Sequence, residues 1–490
     1  MVKHLFLELC RMLGWHRKGS RGPAIWGHWS SLALPLLLLS TALSRAEPSR
    51  LDVFAAQAAE RLSQYIQVDT TNPPGNEGRG VAFLAQIFDQ AGIQYETAES
   101  APGRGNIWAT LPGNPDAELK PALILLHHID VVPANAEYWS VPPLSGTQQD
   151  GFIYGRGAID TKGLGIAQLQ AFLALAESET ALNRDVIYMA TADEEAGGFF
   201  GVGWLIENRP ELFQGVGFVL NEGGSARLFD EQSVVLLEVT QKVPLWLRLT
   251  AKGRPGHGSS PQVNTSVTRL IRGLSRISET EFPPRVIDPV AVMFEGLAPY
   301  QTARDRRAYA NLRESVGDPD FLLMLRLRSP SSHALLRNTC SITTLEGSSK
   351  INVVPAEVYA ELDCRLLPDQ DPARFVDQIK TILSDDLISV ETIMSFTPAV
   401  SRTDTPLFAA IAQVSEQTYA APVVPIVSGG FTDSHFLRDL GITSYGYSPF
   451  AFAPDEATGI HGNNERLSVE NLERGVRTLY RLLDLFTQTP

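Results

Sequence analysis

The chain runs to 490 residues, is 44% hydrophobic, and carries 41 basic against 55 acidic side chains for a formal net charge of -14. One hydrophobic core normally organises no more than about 250–300 residues, so a large domain with a smaller companion is expected. The acidic balance and the lack of any basic cluster in the body of the chain exclude a nucleic-acid partner, whose phosphates need a basic surface.

The N-terminus differs from the rest. Lys3, Arg11, Arg17, Lys18 and Arg21 precede an apolar run over 32–43, and residues 42–46 supply small side chains for cleavage. This is the order of a secretory signal, and the apolar run is too short for the ~20 residues that span a bilayer. Residues 1–46 are therefore expected to be an export signal for a periplasmic or secreted protein, the alternative being an uncleaved membrane anchor.

Apolar residues recur at helical spacing over 51–66, and the Thr-Thr-Asn-Pro-Pro-Gly stretch over 70–75 cannot continue that helix. A second helix is expected over 80–91. Short continuous apolar runs at 122–126, 186–190 and 216–220 read as strands buried on both faces, with a helix at 164–177 between the first two. This alternation implies an α/β three-layer sandwich with a mostly parallel sheet, whose ligands gather at the carboxyl ends of the strands.

The pattern changes near Val243. Residues 245–250 and 358–365 alternate as antiparallel strands with one solvated face do, and helices at 266–277 and 372–383 accompany them. The expected layout is a catalytic domain in two parts, 47–242 and 400–490, around an inserted α+β ferredoxin-like domain at 243–399 that serves dimerisation or acts as a lid. The second part resumes through Gly429-Gly430 and closes on a helix at 469–486, whereas 282–328 is mixed in character and yields no clear elements. Cys340 and Cys364 would face each other across a hairpin turning near Asn352, but buried free thiols are the expectation adopted.

The chemistry lies in where ionisable residues fall relative to these strands. His128 and Asp130 follow the strand at 122–126, Glu194 and Glu195 follow that at 186–190, and Glu222 follows that at 216–220, so all reach one rim. Asp160 joins them from a glycine-rich turn and His461 from a loop before the last helix. Two histidines among several carboxylates suit zinc, which takes nitrogen and oxygen ligands and leaves a position open for water. A carboxylate able to bridge makes two ions plausible, and these would clamp an amide oxygen and bring a shared water to a pKa near ~7. Glu194 and Glu195 can divide the work, one binding metal and the other moving a proton to the leaving nitrogen. Asp130 can hold the second ring nitrogen of His128. His127 points to the opposite sheet face and reads as a packed histidine; His435 reads as a surface or packing residue.

Five motifs then stand in order: His128-Ile-Asp130-Val-Val-Pro133, Gly155-Arg-Gly-Ala-Ile-Asp160-Thr-Lys-Gly163, Asp193-Glu194-Glu195 with Gly197-Gly198, Glu222-Gly223-Gly224, and Gly256-His257-Gly-Ser-Ser-Pro261. Together they resemble the zinc peptidases that include glutamate carboxypeptidase, aminoacylase, yeast vacuolar carboxypeptidase S and acetylornithine deacetylase, from about Leu51 to the C-terminus. The resemblance implies that His128 and Glu222 bind one zinc, that Glu195 and His461 bind the other, and that Asp160 bridges them, with cobalt or manganese as substitutes. It implies Glu194 as general base and a cis peptide at Asp160-Thr161. It further implies a homodimer formed through the inserted domain, in which His257 reaches a partner's site to polarise the scissile carbonyl.

Arg365 matches a family arginine position and would grip a substrate carboxylate, helped by Asn352 and the Gly429-Gly430 backbone; a mere pairing with Asp363 or Glu361 is the alternative. Segments 294–299, 310–312 and 336–339 resemble the carboxypeptidase S branch and its secreted N-acyl-amino-acid hydrolase relatives. One departure is Asn221, where relatives often have aspartate before the Glu-Gly-Gly; it touches the surroundings of the ligand more than the ligand. The implied function is zinc-dependent hydrolysis of an amide bond beside a free carboxylate, in short peptides or N-acyl amino acids. A biosynthetic deacylase of the acetylornithine or succinyl-diaminopimelate type is the alternative, disfavoured by the export signal. A catalytically silent binding protein is a further one, disfavoured by the full set of presumed ligands.

Overall fold

The computed structural model describes residues 49–178, 180–229, 232–260, 262–452 and 459–488. The expected signal or anchor at 1–46 lies outside the described residues, as does Pro261 of the fifth motif. Among the described residues no helix is long and apolar enough to cross a membrane.

The large sheet has ten strands and is mixed, with its centre parallel: Ala122–His128 lies between Val186–Thr191 and Val216–Asn221, parallel to both, and Thr443–Gly446 is parallel to the latter. A hairpin, Tyr95–Ala101 with Arg104–Leu111, adds antiparallel to Val186–Thr191 on one side; Ala226–Phe229, Gln232–Gln241, Val423–Ser428 and Ala451–Phe452 extend the other. Every residue of Ala122–His128 is buried. Leu123 and Leu125 face one core and Ala122, Ile124 and Leu126 the other, which is why this strand reads as an unbroken apolar run. Helices Arg50–Gln67, Lys162–Ala176 and Val469–Gln488 pack together on the first face; Val202–Asn208 and Ser434–Asp439 cover the second. The α/β three-layer architecture expected from the sequence is the one formed. Lys162–Ala176 is buried all round except at its end, so it lacks the apolar stripe of a surface helix.

A second, four-stranded antiparallel sheet runs in the order Thr339–Glu346, Glu357–Leu366, Val243–Lys252, Ile388–Ser395. Leu245, Leu247, Leu249 and Ala251 alternate with outward residues and bury against Ala360, Leu362 and Leu366 and against helices Ser266–Glu279 and Pro372–Leu383. Residues 286–336 form a further cluster: helices Asp288–Leu297, Ala303–Ala310 and Pro319–Arg328 build a core of their own that also takes in Val427, and Gly296 lies against Val424 of the large sheet. Part of the segment expected as one inserted domain therefore packs on the large sheet. Cys340 and Cys364 stand opposite each other in the antiparallel register and are joined as a disulfide, which corrects the expectation of free thiols. The hairpin register brings the two sulfurs within bonding reach.

Candidate active site

Each catalytic candidate sits where a central strand gives out at the same rim. The strand Ala122–His128 ends on His128 itself, and Val216–Asn221 delivers Glu222 as its next residue. After Val186–Thr191 the chain reverses sharply: Asp193 adopts a left-handed φ of 73°, a single 3-10 turn follows over Glu194–Ala196, and Gly197 continues at φ 112°. Gly198 is required here, because a side chain would collide with the Asp433 carboxylate that the loop folds against. The bond Asp160-Thr161 is cis, as the resemblance implies.

These turns bring His128, Asp160, Glu194, Glu195, Glu222 and His461 together. Asp160 offers one oxygen to each imidazole: Oδ1 lies 3.0 Å from His128 Nε2 and Oδ2 lies 3.2 Å from His461 Nε2. His461 Nε2 is also 3.1 Å from Glu195, while His128 Nε2 is 3.6 Å from Glu222 and 3.9 Å from Glu194. Donor atoms of His128, Asp160 and Glu195, and those of His128, Glu194 and Glu222, lie within 4.8 Å of one another in each set.

Buried hydrogen bonds hold this arrangement from behind. The Asp130 carboxylate accepts from Asn72 Nδ2 at 2.8 Å and from the main-chain N–H groups of Glu194 and Glu195, each at 3.2 Å. Asp130 also faces the second ring nitrogen of His128: its main-chain carbonyl accepts from Nδ1 at 2.9 Å, and its carboxylate lies 3.5 Å from the same atom. The buried Glu465 accepts from Arg156 at 2.7 Å and from the N–H groups of Gly157, Ile159 and Asp160, which ties the glycine-rich turn to the His461 loop. Arg104 pairs with Asp193 and Glu77, and Lys162 Nζ donates to the carbonyls of Tyr65 and Val68.

The electrostatics describe a site short of positive charge. Burial and then the Glu222 charge raise the Glu194 carboxyl well above the usual range; burial and then Asp160 do the same to Glu222, and burial raises Glu195. Hydrogen bonds to Asp160 and Glu195 push His461 up to about 10. Although burial opposes both, His128 is raised by Glu222, Asp130 and Asp160, and Asp160 is held low by the two imidazoles that donate to it. Carboxylates crowded this closely repel one another, and divalent cations remove that repulsion. One oxygen of Glu195 is buried without a hydrogen-bond partner. Imidazole nitrogens, carboxylate oxygens and this orphaned acceptor fit a metal ion with mixed nitrogen and oxygen preference.

The remaining candidates lie elsewhere. Arg365 is held by Asp363, with Nε to Oδ1 at 2.7 Å and Nη2 to Oδ2 at 3.1 Å; its Nη1 is buried without a partner, and its guanidinium lies 5.2 Å from the ring centre of Phe431, next to Gly429-Gly430. Asn352 does not stand beside Arg365. It sits with His257, its carbonyl accepting from Gly258 N at 2.8 Å, beyond the opposite end of the strand Glu357–Leu366. The strand separates them by about 26 Å at ~3.3 Å per residue. His257 is exposed, with Nδ1 2.8 Å from Ser259 Oγ. His127 is packed as expected, buried between Tyr65 and Tyr188 and pushed down to about 3 by burial. His435 is buried at 4% exposure, stacked on Phe396. Asn221 donates to Ser434 rather than toward the site.

Sequence reasoning missed Asn72, Arg104, Asp433 and Glu465. Asn72 stood in a loop read only as a helix stop, and its bonds to Pro73 and from Pro73 to Pro74 are both cis. Asp433, held at about 7 mainly by burial, lies three residues past the noted glycine pair. Glu465, four residues after His461, had no pattern to mark it.

A family model described as peptidase family M20/M25/M40 matches residues 124–485. The N-fatty-acyl-amino acid synthase/hydrolase PM20D1 of Xenopus tropicalis is 32% identical, over 87% of this chain and 85% of that protein. Aminoacylase-1 of Sus scrofa is 29% identical, over 87% of this chain and 94% of its own length. Among solved structures, the M20 family metallo-carboxypeptidase Sso-CP2 of Sulfolobus solfataricus superposes with a TM-score of 0.68 at 20% identity, covering 88% of this chain and all of that one.

Proposed function

The chain belongs to peptidase family M20/M25/M40 and is a metallo-hydrolase of amide bonds; from that premise we propose that it cleaves N-acyl amino acids, and short peptides less well, at the amide bond beside the free carboxylate. The observation that carries the reading is Asp160 facing two different imidazoles with its two oxygens, at 3.0 and 3.2 Å. That pattern supports a pair of zinc ions, with His128 and Glu222 holding one, Glu195 and His461 the other, and Asp160 shared. When bound, the ions supply a water acidic enough to attack at neutral pH and Lewis-acid polarisation of the carbonyl.

The protein's own groups do the rest. Glu194 takes a proton from the attacking water as the new C–O bond forms and passes it to the nitrogen as the C–N bond breaks. Its burial, which disfavours the charged carboxylate, suits it to hold one between the two steps. Asp130 fixes the Glu194 and Glu195 amides and, through its carbonyl, the His128 ring. Arg365 would receive the substrate carboxylate, with Gly429-Gly430 beside it. His257 and Asn352 stand together beyond the end of the lid strand away from Arg365, which supports a homodimer in which each serves the partner. Export through residues 1–46 is part of the same proposal.

Preference for the acyl substrates is supported by an aromatic row from the catalytic loop to Arg365. Phe199 is half exposed and packs edge-on against Phe396 at 6.0 Å, and Phe396 packs against Phe431 at 5.5 Å, beneath the guanidinium. Metal analysis together with turnover tests the whole reading. Glu194→Gln should keep its metal and lose about 10²–10⁴-fold in kcat on long-chain N-acyl amino acids, and the wild type should cleave these faster than dipeptides. An active Glu194→Gln enzyme removes the base, and faster dipeptide cleavage removes the substrate assignment.

A further inference from the structure

A pocket of about 410 Å³ opens on the lid away from the metal cradle, between the end of helix Ser266–Glu279 and the segment that enters the strand Thr339–Glu346. It shares no residue with the site described above. Its lining carries both signs of charge, with Arg326, His333 and Arg337 beside Glu279 and Glu281. Arg337 is 95% buried and pairs with Glu281 through Nη1, yet its Nε is buried with no hydrogen-bond partner. Burial, then Arg337 and Arg326, lower the His333 pKa, and all three line the pocket. Arg326 itself makes no ion pair among the described residues and is exposed.

The walls are fixed independently of any occupant. Cys340, on the lining, is tied to Cys364 by the disulfide. Lys242 Nζ donates to the carbonyls of Ala334 at 3.0 Å and Arg337 at 2.9 Å and to Thr339 Oγ1 at 2.9 Å. Lys242 lies between the strands Gln232–Gln241 and Val243–Lys252, so the loop that forms the pocket also holds the crossing from the large sheet to the lid. An oxyanion alone would meet the glutamates and a simple cation the arginines. A small zwitterion satisfies both.

We propose that this pocket binds a free α-amino acid, with its carboxylate on Arg326 and Arg337 and its ammonium on Glu279 and Glu281, as a second site from which the hydrolysis product acts on the lid crossing. The identification of the ligand as product rests on the reading of the active site; the binding itself does not. Calorimetric titration of the metal-loaded full chain carrying Glu194→Gln tests it, using L-leucine, acetate and butylamine as probes. L-leucine should bind at least tenfold tighter than either fragment, and Arg326→Gln or Glu279→Gln should each weaken that binding about tenfold. Both positions lie at the surface away from the cradle, so initial-rate turnover in the otherwise wild-type enzyme should be unchanged. L-leucine binding that neither substitution alters would assign it to the active site and overturn the proposal, and acetate binding as tightly as L-leucine would reduce the pocket to an anion site and overturn it as well. Retained turnover in Glu194→Gln would instead defeat the active-site reading and leave the binding result standing.

Discussion

The rim of the large sheet and the open face of the lid sheet both hold charged side chains, but they hold them differently. At the rim, Glu465 is fully buried and accepts from Arg156 and three main-chain N–H groups, and Asp130 is equally buried with three donors. On the lid, the Arg365–Asp363 pair is partly open, with side chains 19% and 31% exposed, and His257 stands in solvent. The rim carboxylates are thus held by buried donors, whereas the groups proposed to grip substrate stand on a separate and more open sheet.

The sharpest way to break this contrast is to remove one carboxylate from each region. Glu465→Ala strands a buried guanidinium and three N–H donors, and should cost about 3–5 kcal/mol in denaturant unfolding. Asp363→Asn, in the half-exposed pair, should cost less than about 1 kcal/mol. Equal losses would mean that the rim is no more rigidly built than the lid.

The same contrast explains what could be read from the sequence. The strands 122–126, 186–190 and 216–220 were legible because burial on both faces forces continuous apolar runs, and the rim residues were legible because each follows such a run directly. The lid strands announced themselves by period-two alternation. The support behind the rim was not legible: Asn72 and Glu465 act through main-chain contacts with segments tens or hundreds of residues away, and such contacts leave no local pattern. The helices over 288–328 escaped because they are short and pack on one another and on Val427, so none carries a long amphipathic repeat. That Asn352 and Arg365 lie at opposite ends of one strand was not legible for a related reason, since proximity in sequence does not say which end of a strand a residue occupies.

If the lid is the looser region, it should depend more on its staple. The disulfide closes a separation of 24 residues, and replacing both cysteines by serine should destabilise the lid by about 3 kcal/mol. Hydrogen exchange should localise the loss to strands Thr339–Glu346 and Glu357–Leu366. Uniform loss across the large sheet would show that the two sheets unfold as one.

Substrate grip gives a smaller effect. Arg365→Met should raise KM for an N-acyl amino acid about 10- to 100-fold, corresponding to the ~1.5–3 kcal/mol of a charged hydrogen-bonded contact, with kcat nearly unchanged. An unaltered KM would reduce Arg365 to the partner of Asp363.

The most gradual effect belongs to the joint between the regions. His435, on the helix Ser434–Asp439, stacks at 3.5 Å on Phe396, which follows the last lid strand, and neither ring nitrogen has a hydrogen-bond partner. Burial, and then Arg438, lower its pKa from the ordinary 6.5 to about 3. Between those values the unfolded chain takes a proton that the folded chain refuses, so stability falls as pH drops below 6.5 and is unaffected by this group above it. Each such histidine contributes at most about 1.4 kcal/mol per pH unit in that window, and the buried His127, also at about 3, adds a second share. His435→Phe keeps an aromatic face against Phe396 and cannot take a proton. It should flatten the acid limb of the stability profile by about 1.4 kcal/mol per pH unit while leaving the His127 share in place. A slope unchanged between pH 6 and pH 4 would mean that the joint opens to solvent before the histidine must be charged, and the lid would then be held at its crossing by Lys242 rather than by this stack.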